Sequence, residues 1–336
     1  MLNVKKGEGM VEQALSSLEQ YDLEIKSIRK GRGFWIINDK NGDYVLKEYK
    51  GSRERVELQK TLTTQIVEKT GIIVQEIVLN KEGDLISQDG DERKYLLQTY
   101  MEGKECNLKD DRECALAVST MAKMHRGMYL DKSDAPYILP YSLKREFEKR
   151  NVELRRIRRY LKEKRQKNDF ERYLQTHFNY FFEKALQVEE EWEEYEAFCM
   201  KETGVLTFCH GDYQHHNVWM SCHDVMVLQF EKFAADLPCR DLYLFMRKLL
   251  EKNNWNLEAG REILGLYEKE REISCAERIS MIYRFAYPEK FWKIANFYFN
   301  SKKSFMPEKN TEKLEKLLEQ DRDREAFIRE VLRSIV

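Results

Sequence analysis

Eight consecutive residues, HGDYQHHN from His210 to Asn217, bring together a carboxylate, two carboxamides and three imidazoles, with apolar VLTF upstream and VWM downstream. Four residues separate Asp212 from Asn217. A carboxylate and a neutral oxygen donor on one short loop suit phosphoryl transfer, where a protein mainly positions groups and offsets charge. The carboxylate orients an attacking hydroxyl or accepts its proton, the amide oxygen binds a metal, and a cation elsewhere contacts nucleotide phosphates. The competing reading is a polar turn capped by Asp212. His215 and His216 read as loop residues, because adjacent side chains rarely converge on one ion.

The offset His210-x-Asp212-x-x-x-x-Asn217 is that of the kinase catalytic loop. Such a loop must be held between strands, and 205–231 reads as a short strand island with helices on both sides. Upstream, residues 1–20 form an amphipathic pattern through Met10, Ala14, Leu15 and Leu18. From there to about 100 the texture is strand-like, with hairpin signals at DKNGD and KEGD. Between them SRERVELQKTLTTQIVEKTG predicts a helix, N-capped by Ser52 and ended by Gly71. The expected order is strand–strand–helix–strand–strand. Beyond 110 the chain is mostly helical, and CALAVSTMAKMHRGM places Cys114, Val118, Met121, Ala122 and His125 on one face. Residues 141–202 form a long charged helical stretch, first basic and then acidic. It reads as a solvated hairpin with complementary faces, or as a docking surface for an acidic partner.

The chain has 336 residues, enough for two lobes with a sizeable core. Its 58 Lys+Arg nearly cancel 59 Asp+Glu, so no global field favours nucleic acid or an anionic membrane. No run approaches the length of a membrane span, and the polar N-terminus lacks the apolar stretch of a signal peptide. Seven scattered cysteines without a CxxC pair argue for reduced thiols rather than zinc or a disulfide framework. These features predict cytoplasmic synthesis of a soluble protein.

Six ordered blocks carry a family likeness: YVLKEYKGSRER, KYLLQTYMEGKECNL, MAKMHRGM, FCHGDYQHHNVWM, FAADLPCRDLYLFMR and FAYPEKFWKIANFYFNSKKSF. Together they resemble the aminoglycoside phosphotransferase and choline kinase superfamily, and within it the CotS family of spore coat proteins. The likeness runs from about residue 20 to the end. It implies an α+β, two-lobed protein-kinase-like fold: a strand-rich, nucleotide-binding lobe over 1–103 and a helical lobe over 104–336 with the catalytic-loop hairpin at 205–231. It also implies ATP and Mg2+ as cofactors, location in the spore coat, and other coat proteins as partners. Lys47 matches the lysine that contacts the phosphates, against the alternative of an exposed strand lysine. Glu57 is the candidate partner of Lys47, with Glu54 competing. QTYMEG, 98–103, matches the hinge beside the adenine. Asp236 and Asp241 match structural positions, and GRGF, 31–34, suits an ordinary turn as well as a phosphate loop.

The pattern breaks once. Superfamily members end the strand after the hairpin in a magnesium-binding Asp, whereas this chain has Gln229, 12 residues after Asn217. Magnesium prefers anionic oxygen, so the neutral amide weakens the metal site. Glu231, two residues on, offers a replacement if the segment is extended, because i and i+2 then share a face. Three functions follow: a coat protein with impaired catalysis, an active small-molecule phosphotransferase acting on a hydroxyl, and a purely structural coat component.

Overall fold

The computed structural model describes residues 16–31, 33–135, 137–199, 204–222, 224–300 and 307–335. Most of the N-terminal helix expected over 1–20 lies outside them. Ser17–Gln20 form a 3-10 turn that buries Leu18. By packing, the chain divides into two compact units. One runs up to Tyr129 and returns for His210–Phe233; the other takes Leu130–Cys209 and the chain from Ala234 onward. These units do not coincide with lobes split at 103. The helix after 110 and the catalytic-loop hairpin both belong to the first.

In the first unit, β1 (Ile25–Lys30), β2 (Trp35–Asp39) and β3 (Asp43–Glu48) precede α1 (Arg53–Thr70). Three strands thus stand before the helix where two were expected, because the first stretch is itself a hairpin: β1 pairs antiparallel with β2 up to Lys30 and Trp35, and the Gly31 N–H donates to the Phe34 carbonyl at 2.8 Å. β4 (Ile73–Val74), β5 (Ser87–Gln88), β6 (Lys94–Tyr100), β7 (Lys104–Glu105) and α2 (Asp111–Gly127) follow. β10 (Val218–Met220) and β11 (Val225–Val227) complete the unit. The main sheet has order β1-β2-β3-β6-β5, and a smaller one has order β4-β11-β10-β7.

Local chemistry explains these elements. The Ser52 hydroxyl accepts the Arg55 N–H at the start of α1, and Gly71 ends the helix in the left-handed conformation (φ 67°). Val56, Leu62 and Ile66 form its buried face, and Val56 shares an apolar cluster with Ile77, Ile86 and Leu96. The apolar face of α2 foreseen from its spacing is buried throughout, from Cys114 to His125.

β8 (Tyr129–Asp131) carries the chain into the second unit. There α3 (Leu143–Glu163) and α4 (Asp169–Cys199) form the charged hairpin. β9 (Val205–Cys209) pairs antiparallel with β12 (Ala234–Ala235). The remaining helices are α5 (Cys239–Lys252), α6 (Leu257–Glu268), α7 (Cys275–Ala286), α8 (Glu289–Asn300) and α9 (Pro307–Phe327). The core of this unit is aromatic: Phe181 and Phe291 stack with centroids 4.5 Å apart, where truncation of either costs about 3–5 kcal/mol. Among the described residues no helix is long and apolar enough to cross a membrane.

Candidate functional site

The HGD loop is built from the inside outward, within the first unit. His210 is fully buried; its Nε2 lies 2.8 Å from the Leu228 carbonyl, and its Nδ1 accepts the Asp212 N–H. The histidine therefore ties the loop to the chain end of β11. Gly211 has φ 78°, and a Cβ there would sit 2.1 Å from the Lys232 carbonyl. Only glycine fits both constraints. Buried Tyr213 donates its hydroxyl to the Ala117 carbonyl on α2, and the Cys106 N–H donates to the carbonyls of His215 and Val218.

Beyond β11 the backbone is not extended. Gln229 is left-handed (φ 62°, ψ 64°), and Phe230–Lys232 form a 3-10 turn. A non-glycine residue held at positive φ is a strained conformation that the surroundings must over-determine. Here the Gln229 N–H donates to Oε1 of Gln75, whose own N–H is bonded to the Val227 carbonyl. Glu231 therefore does not share a face with Gln229 as i and i+2 do in an extended segment, and it does not replace Gln229 in that way. Instead Glu231 Oε1 accepts from Lys47 Nζ at 2.8 Å, and Asp212 Oδ2 accepts from Lys232 Nζ at 2.8 Å. Arg55 of α1 holds the same turn by donating to the carbonyls of Glu231 and Phe233, both at 2.8 Å.

The expected Lys47–Glu57 pair is absent. Glu57 is exposed and meets Arg53 at 3.8 Å. On α1 the inward face passes through Val56 and Gln59, and Glu57 falls to one side of it. The helix addresses the turn through Arg55 rather than through a carboxylate. The sequence carries no signal for Arg55, Gln75 or Lys232: Gln75 and Lys232 lie in no local motif, and Arg55 is marked only by its N–H donating to the Ser52 cap.

Burial pushes the Asp212 carboxyl up, but hydrogen bonds from Lys232 and Gln214 outweigh it and leave the group below the usual carboxylate range. Asp212 stays ionised and is spoken for on both oxygens, since Gln214 Nε2 donates to Oδ1 at 2.6 Å.

Asn217 is fully buried; its Nδ2 donates to the Asp212 carbonyl at 2.8 Å, and its Oδ1 has no partner. An orphaned buried acceptor is what a cation or a water would satisfy. The rest of the donor set does not suit magnesium, which favours free anionic oxygen. Gln229 is neutral, and both carboxylates are neutralised by lysines. Among the described residues no three His, Cys, Asp or Glu gather where they could hold a metal ion.

The segment 98–103, matched above to a hinge, ends at Gly103, where a Cβ would meet the Met220 carbonyl at 2.4 Å, so β7 can reach β10 only through glycine. In the second unit Asp236 is a buried partner of Arg284 at 2.9 Å, and Asp241 is buried in the first turn of α5.

The fold is that of aminoglycoside phosphotransferases, hence kinase-like. An aminoglycoside phosphotransferase from Alicyclobacillus acidocaldarius matches with TM-score 0.81 at 19% identity, covering 94% of each chain. The AMP-bound spectinomycin phosphotransferase matches with TM-score 0.61 at 13% identity, covering 92% of this chain and 94% of that one. An amicoumacin kinase in complex with AMP-PNP and Ca2+ matches with TM-score 0.60 at 12% identity, covering 98% of each. No curated protein matches by sequence. The family model described as "Spore coat putative kinase YutH" matches residues 15–331. The chain belongs to that spore coat family, in line with its resemblance to CotS-type proteins.

Proposed function

We propose that this chain is a spore coat component that binds a nucleotide near Lys47 and transfers phosphate weakly or not at all. One observation carries the reading: both carboxylates of the site are ion-paired to lysines, Asp212 to Lys232 and Glu231 to Lys47, while the position that would bridge the metal is neutral Gln229. Magnesium brings two positive charges to a site whose own charges already cancel. Lys47 can still serve the phosphates, since an ammonium has three donors and Glu231 uses one. Relatives of the same fold are described with AMP or AMP-PNP, which supports a nucleotide as ligand. The family description supports location in the spore coat, and the reading extends from there to synthesis in the sporulating cell and to other coat proteins as partners.

The test is a thermal-shift titration with ATP in EDTA and again in magnesium, because a ligand that binds only the folded state raises its apparent stability. Equal shifts in the two series are expected. A shift that appears only with magnesium contradicts the reading, and no shift at any ATP concentration leaves a scaffold that keeps the fold alone.

The second reading, an active phosphotransferase acting on a hydroxyl, is favoured by the partnerless Asn217 Oδ1. It requires Glu231 to leave Lys47 and face a metal beside Asn217. Magnesium-dependent turnover on a small hydroxyl compound would establish it.

A further inference from the structure

The charged hairpin of the second unit neutralises itself only in part. Lys164 meets Glu171 at 2.7 Å and Asn151 meets Glu189 at 2.5 Å, which fixes the register of α3 against α4. In that register Arg156 lies level with about residue 182, so Glu194 is displaced along the axis by about 18 Å at ~1.5 Å per residue. That exceeds the Debye length of roughly 8 Å at physiological salt. Lys144–Glu193, near the other end, does cross the hairpin. Arg155, Arg156 and Arg159 on α3, and Glu190 and Glu194 on α4, are exposed and form no ion pair among the described residues. The two faces are therefore complementary only in part: Lys144–Glu193 and Lys164–Glu171 cross the hairpin, but an antiparallel pair sets the arginine-rich end of one helix away from the glutamate-rich end of the other.

Each stripe also ends in an exposed apolar side chain, Val152 at 50% and Phe198 at 52% exposure. Along α3 the order is Val152, Arg156, Arg159, at steps of four and seven; along α4, read backwards, it is Phe198, Glu194, Glu190, at steps of four and eight. Such steps keep residues on one helical face. Two such helices laid antiparallel in separate molecules would set Val152 against Phe198, Arg156 against Glu194 and Arg159 against Glu190 in a single register.

The geometry points to a second copy of this chain as the occupant: α3 of one molecule lies along α4 of another, paired by these residues. Both halves of the complement are carried by the same hairpin, and the chain as a whole has a formal charge of only −1, so no outside polyanion or polycation is needed to balance it. This inference is independent of nucleotide binding.

The test is sedimentation equilibrium of the full chain from low salt to about 1 M, where the Debye length falls to roughly 3 Å. The wild type is expected to associate at low salt and to sediment as one chain at high salt. Arg156→Glu with Arg159→Glu, and separately Glu190→Lys with Glu194→Lys, are each expected to weaken association at least tenfold. An equimolar mixture of the two variants, one with both stripes acidic and one with both basic, should recover a mixed complex. A wild type that stays a single chain at low salt overturns the proposal, as does association that survives either reversal or a mixture that does not associate. If a reversal variant fails to fold, the Gln counterparts at the same positions should weaken association without recovery on mixing. A chain that binds polyglutamate while remaining a single chain would assign the arginine stripe to an acidic partner and equally overturn it.

Discussion

Lys47 and Glu231 are 184 positions apart in sequence, and Lys47 Nζ donates to Glu231 Oε1 at 2.8 Å. The lysine expected to serve nucleotide phosphates is paired, but by the turn after β11 rather than by α1. Glu231→Gln leaves the ammonium without its counter-charge. Because both side chains are partly solvated, the pair is worth roughly 0–1 kcal/mol, so magnesium-free ATP binding should tighten by up to about fivefold. Lys47→Ala should weaken it by tenfold or more, in keeping with the ~1.5–3 kcal/mol of a charged hydrogen bond. Titration calorimetry in EDTA measures both, and an unchanged curve for Lys47→Ala removes that residue from the site.

Lys232 holds Asp212 ionised, which gives a pH signature. The folded-state carboxyl lies below its unfolded value of about 3.9, so its contribution to stability is present above that pH and is lost as pH falls through the lower folded value. Lys232→Met should reduce stability near neutrality by up to ~1 kcal/mol, since the lysine is mostly solvated, and the deficit should vanish in strong acid. Urea unfolding from pH 7 down to 2 follows it. A deficit that stays constant with pH would mean that Lys232 acts through packing and not through Asp212.

Gly211→Ala is expected to cost about 1–3 kcal/mol. The added Cβ meets the Lys232 carbonyl, and the backbone is already at φ 78°. Chemical denaturation reads the loss. Full stability in this variant would show that the loop and the turn at 230–232 do not press on each other as described.

Much of the frame was legible in the sequence because its signals are local. Ser52 and Gly71 bracket α1 through cap chemistry, DKNGD turns β2 into β3, and the HGD motif carries its own glycine requirement. The partner of Lys47 was not legible: Glu57 is close in sequence, whereas the residue that reaches the lysine arrives from a 3-10 turn near 231. Helical periodicity does contain part of the answer, since Val56, Gln59 and Ile66 define the inward face and leave Glu57 off it. The role of Lys232 was hidden for a similar reason. In an extended strand Glu231 and Lys232 would point to opposite faces, but the left-handed Gln229 redirects both toward site residues. Likewise the charge segregation of 141–202 was visible, but its only partial cancellation depends on the register of α3 against α4.

The proposed site lacks a free anionic ligand for a divalent ion, because Asp212 and Glu231 are ion-paired to lysines and Gln229 is neutral. Mn2+ binding in the presence of ADP, followed by electron paramagnetic resonance on the wild type and on Gln229→Asp, tests it most directly. The wild type should hold no more Mn2+ than the nucleotide alone accounts for, and Gln229→Asp should hold about one ion per chain at least tenfold more tightly. One Mn2+ bound with equal affinity by both proteins would contradict the account.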